Sequence, residues 1–212
     1  MEISYRKRIE IPESIIGELL MKDNLNNVIS IEDILIDKFV HSGYVCLDGT
    51  VGNGNDTIKL AQKVGKNGKV YGFDIQEIAI EITKEKLAKA DLLLQTILIN
   101  DSHTNVDKYI KETLDFAIFN LGYLPGSHKE ITTTASTTIE SIEKTLGLLK
   151  ENGIILVISY IGHSGGFEEY QSVQNYLSTL DQKKYNIFEA SFINQINNPP
   201  RLFCIENRGG KS

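Results

Sequence analysis

The sequence has few of the residues from which disulfide frameworks and metal sites are built. It contains two cysteines, Cys46 and Cys204, and both lie in apolar, β-like stretches. No CxxC or HxxxH spacing accompanies them. We therefore predict two buried, free thiols, no disulfide and no metal site.

Long apolar runs and a secretory leader are also missing. No apolar run approaches the roughly 20 residues that a membrane-spanning helix needs. The first residues, MEISYRKRIEIPES, lack the apolar core of a signal peptide. We expect a cytoplasmic protein without a membrane partner. The net charge of −6 argues against indiscriminate nucleic-acid binding by the whole surface, and it leaves room for a local basic patch.

From residue 43 onward, short β-rich runs alternate with helical stretches. This alternation predicts an α/β fold with a doubly wound, mostly parallel sheet. The last two strands have no helix-length segment between them, so we expect a C-terminal antiparallel hairpin. The predicted strands are 43–48, 69–75, 92–99, 114–120, 153–160, 185–193 and 201–207, and the later helices are 138–153 and around 167–180.

The pattern divides the chain into three parts. Residues 43–207 form the predicted main domain, and 208–212 form a tail. Residues 1–42 are interpreted as a helical or irregular extension, with a helix that begins at Ser30 as its N-cap.

A glycine-rich turn follows the first predicted strand. In LDGTVGNGNDT (47–57) the strand ends at Asp48, and a helix begins near Asn55. Gly52 and Gly54 allow the backbone to approach a ligand closely. Asp74 lies 20 residues beyond Gly54, at the end of the second strand, where an acid accepts hydrogen bonds from ribose hydroxyls. The combination predicts a nucleoside ligand.

Three features favour S-adenosylmethionine among nucleoside ligands. The dinucleotide fingerprint requires a small residue where this chain has Thr57, and no GK[ST] follows the glycines as a P-loop would require. The carboxylate of Asp48 suits a ligand that carries an ammonium group, and it would repel a pyrophosphate.

Polar residues follow other strands at the same predicted sheet edge, where open α/β sheets bind ligands. Asp101, Ser102 and His103 follow the third strand and are candidates for adenine contacts, with a helix N-cap as the alternative. His163 follows the fifth strand and either contacts substrate or packs. Asn194 and Asn197 lie in the hairpin turn.

The stretch FNLGYLPG (119–126) places an amide and a phenol after the fourth strand. The Asn120 carbonyl can accept hydrogen bonds from an amine and orient its lone pair. Asn120 and Tyr123 resemble the ends of the Asn/Asp-Pro-Pro-Tyr loop of amino-methyltransferases, with Leu-Gly in place of Pro-Pro. The alternative is a strand-end turn in which Asn120 makes an Asx-type bond.

Seven motifs, taken together and in order, resemble the MnmM (YtqB-like) methyltransferases. They are D-x-T-x-G-N-G-x-D-T (48–57), G-F-D-I-Q (72–76), D-S-H (101–103), F-N-L-G-Y-L-P-G (119–126), G-H-S-G-G (162–166), L-D-Q-K (180–183) and F-I-N-Q-x-N-x-P-P (192–200). The resemblance covers roughly residues 43–207. It departs at Ile161, where a second histidine is expected, and in a longer N-terminal segment.

The resemblance implies a Rossmann-like class I methyltransferase with a seven-stranded sheet. The implied reaction transfers a methyl group from S-adenosylmethionine to the amino group of 5-aminomethyl-(2-thio)uridine at the tRNA wobble position. The partner is then the tRNA anticodon stem-loop, and a homodimer is left open. The implied cofactor residues are Asn53, Asn55, Asp74, Gln76, Ser102 and His103, alongside Asp48, Gly52, Gly54, Asp101 and Asn120. Tyr123, His163, Asn194 and Asn197 are assigned to the substrate side.

Two other classes of function remain compatible with the sequence. A methyltransferase could act on rRNA, protein or a small amine, and a nucleoside-binding module could have lost turnover. Asn120 and Tyr123 argue against the second alternative.

Overall fold

The computed structural model describes residues 25–121, 134–162 and 165–210. Within these residues, seven strands form one sheet, and six α-helices flank it. The strands are β1 Val45–Asp48, β2 Lys69–Phe73, β3 Thr96–Ile99, β4 Leu114–Leu121, β5 Leu149–Ser159, β6 Tyr185–Ala190 and β7 Arg201–Asn207. The helices are α1 Val28–Phe39, α2 Asn55–Val64, α3 Glu77–Lys89, α4 Val106–Tyr109, α5 Ala135–Leu148 and α6 Gly166–Ser178.

The strand order is β3-β2-β1-β4-β5-β7-β6. The first five strands are parallel, whereas β7 is antiparallel to both β5 and β6. This is the class I methyltransferase arrangement, and it confirms the predicted doubly wound sheet with its C-terminal hairpin. The order reverses between β1 and β4, so a crevice opens at their carboxyl ends, where ligands bind in such sheets.

Two apolar layers cover the sheet, because its central strands are buried on both faces. One layer includes Phe73, Phe119 and Ile142 and receives helices α4, α5 and α6. The other includes Ile36, Leu60 and Phe116 and receives α1 and α2. Successive residues of a strand point to opposite faces, so Phe119 and Asn120 face different layers.

Helix α1 starts earlier than the sequence pattern predicts. Its N-cap is Asn27, whose side chain accepts a hydrogen bond from the Ser30 backbone N–H at 3.0 Å, so the prediction of Ser30 as N-cap was wrong. Asn and Ser are comparable N-cap residues, so the sequence offers two candidate starts for this helix. The choice of Ser30 excluded Val28 and Ile29, which belong to the helix. Val28 and Ile36 are buried against the sheet. The predicted domain boundary at residue 42 therefore follows a helix that shares the main core, and it stays a prediction.

Several other element boundaries differ from the sequence-based expectation, and β6 ends at Ala190 rather than at residue 193. Strand β3 begins at Thr96 rather than at residue 92, because Leu92 and Gln95 lie in the turn after α3. Helix α5 begins at Ala135, where Thr134 and Thr137 form a capping box, and it ends at Leu148. Strand β5 begins directly after this helix, at Leu149. Its pairing with β4 shifts register between Leu114 and Phe116.

The two cysteines occupy non-adjacent strands, as expected. Cys46 on β1 and Cys204 on β7 are separated by β4 and β5, and both are buried and free. Burial raises the pKa of both thiols, Cys46 more strongly, so they behave as small apolar side chains. Among the described residues, no helix is long and apolar enough to cross a bilayer.

Candidate active site

The side chain of Asp48 stabilises the turn after β1 through two hydrogen bonds. Its Oδ1 accepts the Thr50 backbone N–H at 3.0 Å, and its Oδ2 accepts the Thr57 hydroxyl at 2.5 Å. The side chain is almost fully buried. Burial, and secondly the charge of Asp56, raise the pKa of Asp48 to about 7. Asp48 thus fastens the turn to helix α2, and its predicted contact with a ligand ammonium group stays a prediction.

Glycine is required at two positions of the turn. Gly52 (φ +50°) and Gly54 (φ +77°) have left-handed backbone conformations, which other residues adopt at a cost. A Cβ on Gly54 would also lie 2.5 Å from Thr83 Oγ1 of α3. The turn therefore packs tightly on α3. The flanking Asn53 is half-buried and Asn55 is exposed at the start of α2.

Asp74 connects this turn to the end of β2. Its Oδ2 accepts the Gly52 N–H at 2.8 Å, and its Oδ1 accepts the N–H of Gln76 at 2.9 Å. Gln76 is the N-cap residue of α3. The carboxylate is half-buried and lies beside the glycine turn, as the predicted ribose-binding acid must.

The residues after β3 form a short capped turn on the same edge. Ser102 is the N-cap of a 3₁₀ turn over His103–Asn105 and accepts the Thr104 N–H at 3.2 Å. Asp101 accepts hydrogen bonds from Ser102, Asn105 and Tyr109. These bonds lower the pKa of Asp101, and the bond from Tyr109 has the largest effect. The alternative N-cap role of Ser102 is thus present, and a capped turn with half-buried side chains can still receive a ligand.

His103 contacts the turn after β1. Its Nδ1 is 3.1 Å from the Gly49 carbonyl, and since a carbonyl only accepts, Nδ1 carries the hydrogen. Burial lowers the pKa of His103, which favours the neutral ring. The ring also meets Phe119 edge-on, with centroids 6.0 Å apart. Gly49 was not singled out from the sequence, yet a Cβ there would lie 2.3 Å from the Phe119 ring.

Asn120 lies at the end of β4, on the α1–α2 face of the sheet. Its backbone N–H donates to Thr50 Oγ1 at 2.7 Å, which ties β4 to the turn after β1. Its side-chain Nδ2 donates to Asp56 Oδ2 at 3.3 Å. Asn120 is half-buried, and both contacts join it to residues distant in the sequence. The alternative Asx-type bond would involve residues after Leu121, which lie outside the described residues.

A group of ionisable side chains beside Asn120 was not predicted from the sequence. It comprises Glu32 of α1, Asp56 and Lys59 of α2, and Tyr160 after β5. Lys59 Nζ lies 2.6 Å from Asp33, 3.4 Å from Asp56 and 3.6 Å from Glu32. Burial raises the pKa of Tyr160, as do the charges of Glu32 and Asp56, whereas a hydrogen bond with Asn120 lowers it. Only Asp56 and Lys59 are close along the chain, and every other pair is more than 20 positions apart, so no local motif reveals the group.

The structure says little about the four residues that were assigned to the substrate side. Tyr123 and His163 lie outside the described residues. Asn194 and Asn197 are exposed in the β6–β7 connection, where Asn197 has φ +64°. A Cβ on Gly162 would lie 3.7 Å from the Asn197 carbonyl. This connection therefore reaches the segment after β5, and the assignment to substrate stays a prediction.

Comparison with known proteins gives a consistent family. Residues 70–206 match the family model described as "Putative rRNA methylase". The chain belongs to this methylase family. The chloroplastic tRNA (mnm(5)s(2)U34)-methyltransferase of Arabidopsis thaliana is 32% identical over 82% of this chain and 67% of its own length.

Solved structures agree with this methylase assignment. A "putative rRNA-methylase" from Clostridium thermocellum is 45% identical, with a TM-score of 0.84 over 86% of this chain and 98% of that one. A methyltransferase from Streptococcus mutans in complex with SAH is 34% identical, with a TM-score of 0.78 over 89% of this chain and 99% of that one. The methylase is therefore an S-adenosylmethionine-dependent methyltransferase with a class I fold.

The donor set of the site fits this cofactor. The left-handed glycine turn admits a ligand close to the backbone, and Asp74 offers a half-buried carboxylate at the β2 end. His103 and Ser102 close the crevice from the β3 side. When bound, the cofactor supplies an electrophilic methyl group, and the residues of the chain bind and orient the two reactants.

Proposed function

We propose that the protein methylates the amino group of 5-aminomethyl-(2-thio)uridine at the wobble position of tRNA. The observation that carries the proposal is Asn120, a half-buried amide at the end of β4 whose Nδ2 is engaged by Asp56. The carbonyl end of the amide then points away from Asp56, where it can accept an N–H from an amine. An acceptor of this kind orients a nitrogen lone pair and supplies positioning rather than strong base catalysis.

The charge around Asn120 also supports an amine as the acceptor. Asp33 and Asp56 contribute carboxylates, and Lys59 is the cation that neutralises part of this charge. Burial lowers the pKa of Lys59, but the hydrogen bond that Lys59 donates to Asp33 and the charges of Glu32 and Asp56 outweigh this and raise it. The remaining negative charge favours a cationic or hydrogen-bond-donating group over an anionic one.

The relative from Arabidopsis thaliana supports the wobble uridine as the substrate, because its name specifies the tRNA nucleoside mnm(5)s(2)U34. The name of the family model favours a second candidate, methylation of rRNA. The tRNA reading has the more specific support, since it names a nucleoside with an alkyl amine and the site offers an amine-orienting amide.

Mass spectrometry of nucleosides from cells with and without the protein tests the proposal. Loss of the protein should deplete methylaminomethyl-uridines from tRNA and accumulate their unmethylated aminomethyl precursors. An unchanged tRNA profile, together with a missing methyl group in rRNA, would favour the second candidate instead.

A further inference from the structure

Glu32 is a buried acid without a hydrogen-bond donor. Its side chain is 0% exposed, and neither carboxyl oxygen accepts a hydrogen bond from a donor among the described residues. The nearest cation, Lys59 Nζ, is 3.6 Å from Oε1, beyond hydrogen-bonding distance. An ionised carboxylate in such a place would be costly, so the chain must gain something from keeping an acid there.

The carboxyl groups of Asp56 and Glu32 lie around one cation, since Lys59 Nζ is 3.4 Å from Asp56 Oδ1 and 3.6 Å from Glu32 Oε1. Two carboxylates accept hydrogen bonds and cannot donate, so these groups can bond to each other only when one carries a proton. Burial raises the pKa of Glu32 to about 9; the charge of Asp56 and the bond between the two carboxyls add to this, and Lys59 opposes it. The proton is better placed on Glu32, because Asp56 accepts Asn120 Nδ2 and Lys59 Nζ, whereas Glu32 accepts from no described donor.

Asp56 is also the group that contacts Asn120. Its side chain is 12% exposed, and its two oxygens receive Asn120 Nδ2 at 3.3 Å and Lys59 Nζ at 3.4 Å. An amide has a donor end and an acceptor end, and rotation by half a turn exchanges them. A charged carboxylate accepts only, so it selects the orientation in which Nδ2 points toward Asp56.

We propose that Glu32 and Asp56 share one proton and act as a positioning pair, which locks the side-chain amide of Asn120 with Nδ2 toward Asp56 and its carbonyl oxygen directed to the N–H of the substrate amine. Glu32 donates its proton to Asp56 as a hydrogen bond, and the charged Asp56 holds Nδ2. The groups that face the pair are Asp33 of the same helix, Lys59 of α2 and Tyr160 after β5. The role toward the amine rests on the proposed function, whereas proton sharing and the orientation of the amide do not.

The first test uses the ligand-free, full-length protein. The ¹³C carboxyl resonance of Glu32, assigned through Glu32→Gln, should report a protonated acid at pH 7 that titrates far above the usual range of glutamate. The side-chain NH₂ resonances of Asn120, assigned through Asn120→Ala, should shift in Asp56→Asn. They should stay in place in Asp37→Asn, a matched control that removes the Asp37–Lys63 ion pair between the same two helices.

The second test measures methyl transfer to tRNA that carries 5-aminomethyl-uridine. Asp56→Asn should lower kcat by about 10²-fold with little change in KM, the scale expected when a reacting group loses its orientation. Glu32→Ala should also lower kcat, and Glu32→Gln should restore most of it, because its amide donates to Asp56 as the protonated acid does.

Three results would overturn the proposal. Glu32 could prove ionised at pH 7, the Asn120 resonances could fail to respond to Asp56→Asn, or Glu32→Gln could be as damaging as Glu32→Ala. The first result needs no variant beyond the assignment, so a misfolded Asp56→Asn leaves the proposal open to refutation. If the resonances behave as expected but the wild-type protein does not methylate the tRNA, the positioning pair stands and the proposed function fails.

Discussion

Two buried carboxyl groups lie near the start of helix α2, and they differ in the hydrogen bonds that they accept. Asp48, beneath the glycine turn, receives the Thr50 N–H and the Thr57 hydroxyl. Glu32, on the other side of α2, receives no hydrogen-bond donor from any described residue. Their exposures are 1% and 0%, so burial does not distinguish them.

The comparison indicates that Asp48 stabilises the fold, whereas Glu32 does not. The hydrogen bonds of Asp48 satisfy two donors that would otherwise be unpaired, and they fix the turn that is predicted to approach the cofactor. Glu32 breaks the rule that buried polar groups are satisfied, and it does so next to the residue proposed to orient the acceptor amine. Violations of this kind concentrate at functional sites.

The largest expected effect tests whether the Glu32 side of α2 serves the reaction. Asn120→Ala should lower kcat on 5-aminomethyl-uridine tRNA by about 10²-fold or more, because positioning of the amine is lost. Affinity for S-adenosylmethionine should be largely retained. Single-turnover kinetics and calorimetric titration measure the two quantities. Wild-type turnover in this variant would reduce Asn120 to a turn residue.

Asp74→Ala tests the cofactor side of the comparison. Affinity for S-adenosylmethionine should fall by about 2 kcal/mol, since hydrogen bonds to a charged group contribute roughly 1.5–3 kcal/mol. Calorimetry on the folded variant checks this, with Glu81→Ala on the exposed face of α3 as the control. Unchanged affinity would remove Asp74 from the ribose site.

Asp48→Ala should destabilise the fold by about 2 kcal/mol, because it leaves two donors without an acceptor. Urea unfolding of the variant measures the free energy. The same experiment on Glu32→Met should give the opposite sign, with stability raised by about 1 kcal/mol at pH 8, because an apolar side chain of similar size costs nothing to bury. Destabilisation by both substitutions to a similar degree would erase the distinction between the two acids.

The last expected effect is a change in the pH dependence of stability. The folded-state pKa of Glu32 is raised from 4.5 to about 9, so the folded state binds more protons than the unfolded state between these values. Its stabilising contribution is complete below about pH 4.5 and is lost as the pH rises toward 9. Glu32→Met should flatten this decline in the free energy of unfolding. The decline that remains comes partly from Asp48, which shifts in the same direction.

The sheet and the glycine turn were predictable from the sequence because their signals are local. Alternating strands and helices fix the parallel sheet, and the glycines and Asp74 occur at a spacing set by one strand–helix–strand unit. The reversal of strand order then brings Asp74, His103 and Asn120 to one edge without any further information.

The Glu32–Asp56–Asn120 contact could not be predicted in this way. Glu32 lies in a helix whose first residues carry no clear start signal, and its neighbours come from α2 and β4. In sequence it is one of several acids in SIEDILID, most of which are exposed. Only the packing of α1 on the sheet shows which of them is buried.

Methyl transfer to defined tRNA tests the central claim most directly. Purified protein should transfer a labelled methyl group from S-adenosylmethionine to the wobble nucleoside of tRNA bearing 5-aminomethyl-(2-thio)uridine. The same tRNA without the aminomethyl group should receive none. Equal labelling of both tRNAs, or labelling of rRNA alone, would contradict the assignment of an alkyl amine as the methyl acceptor.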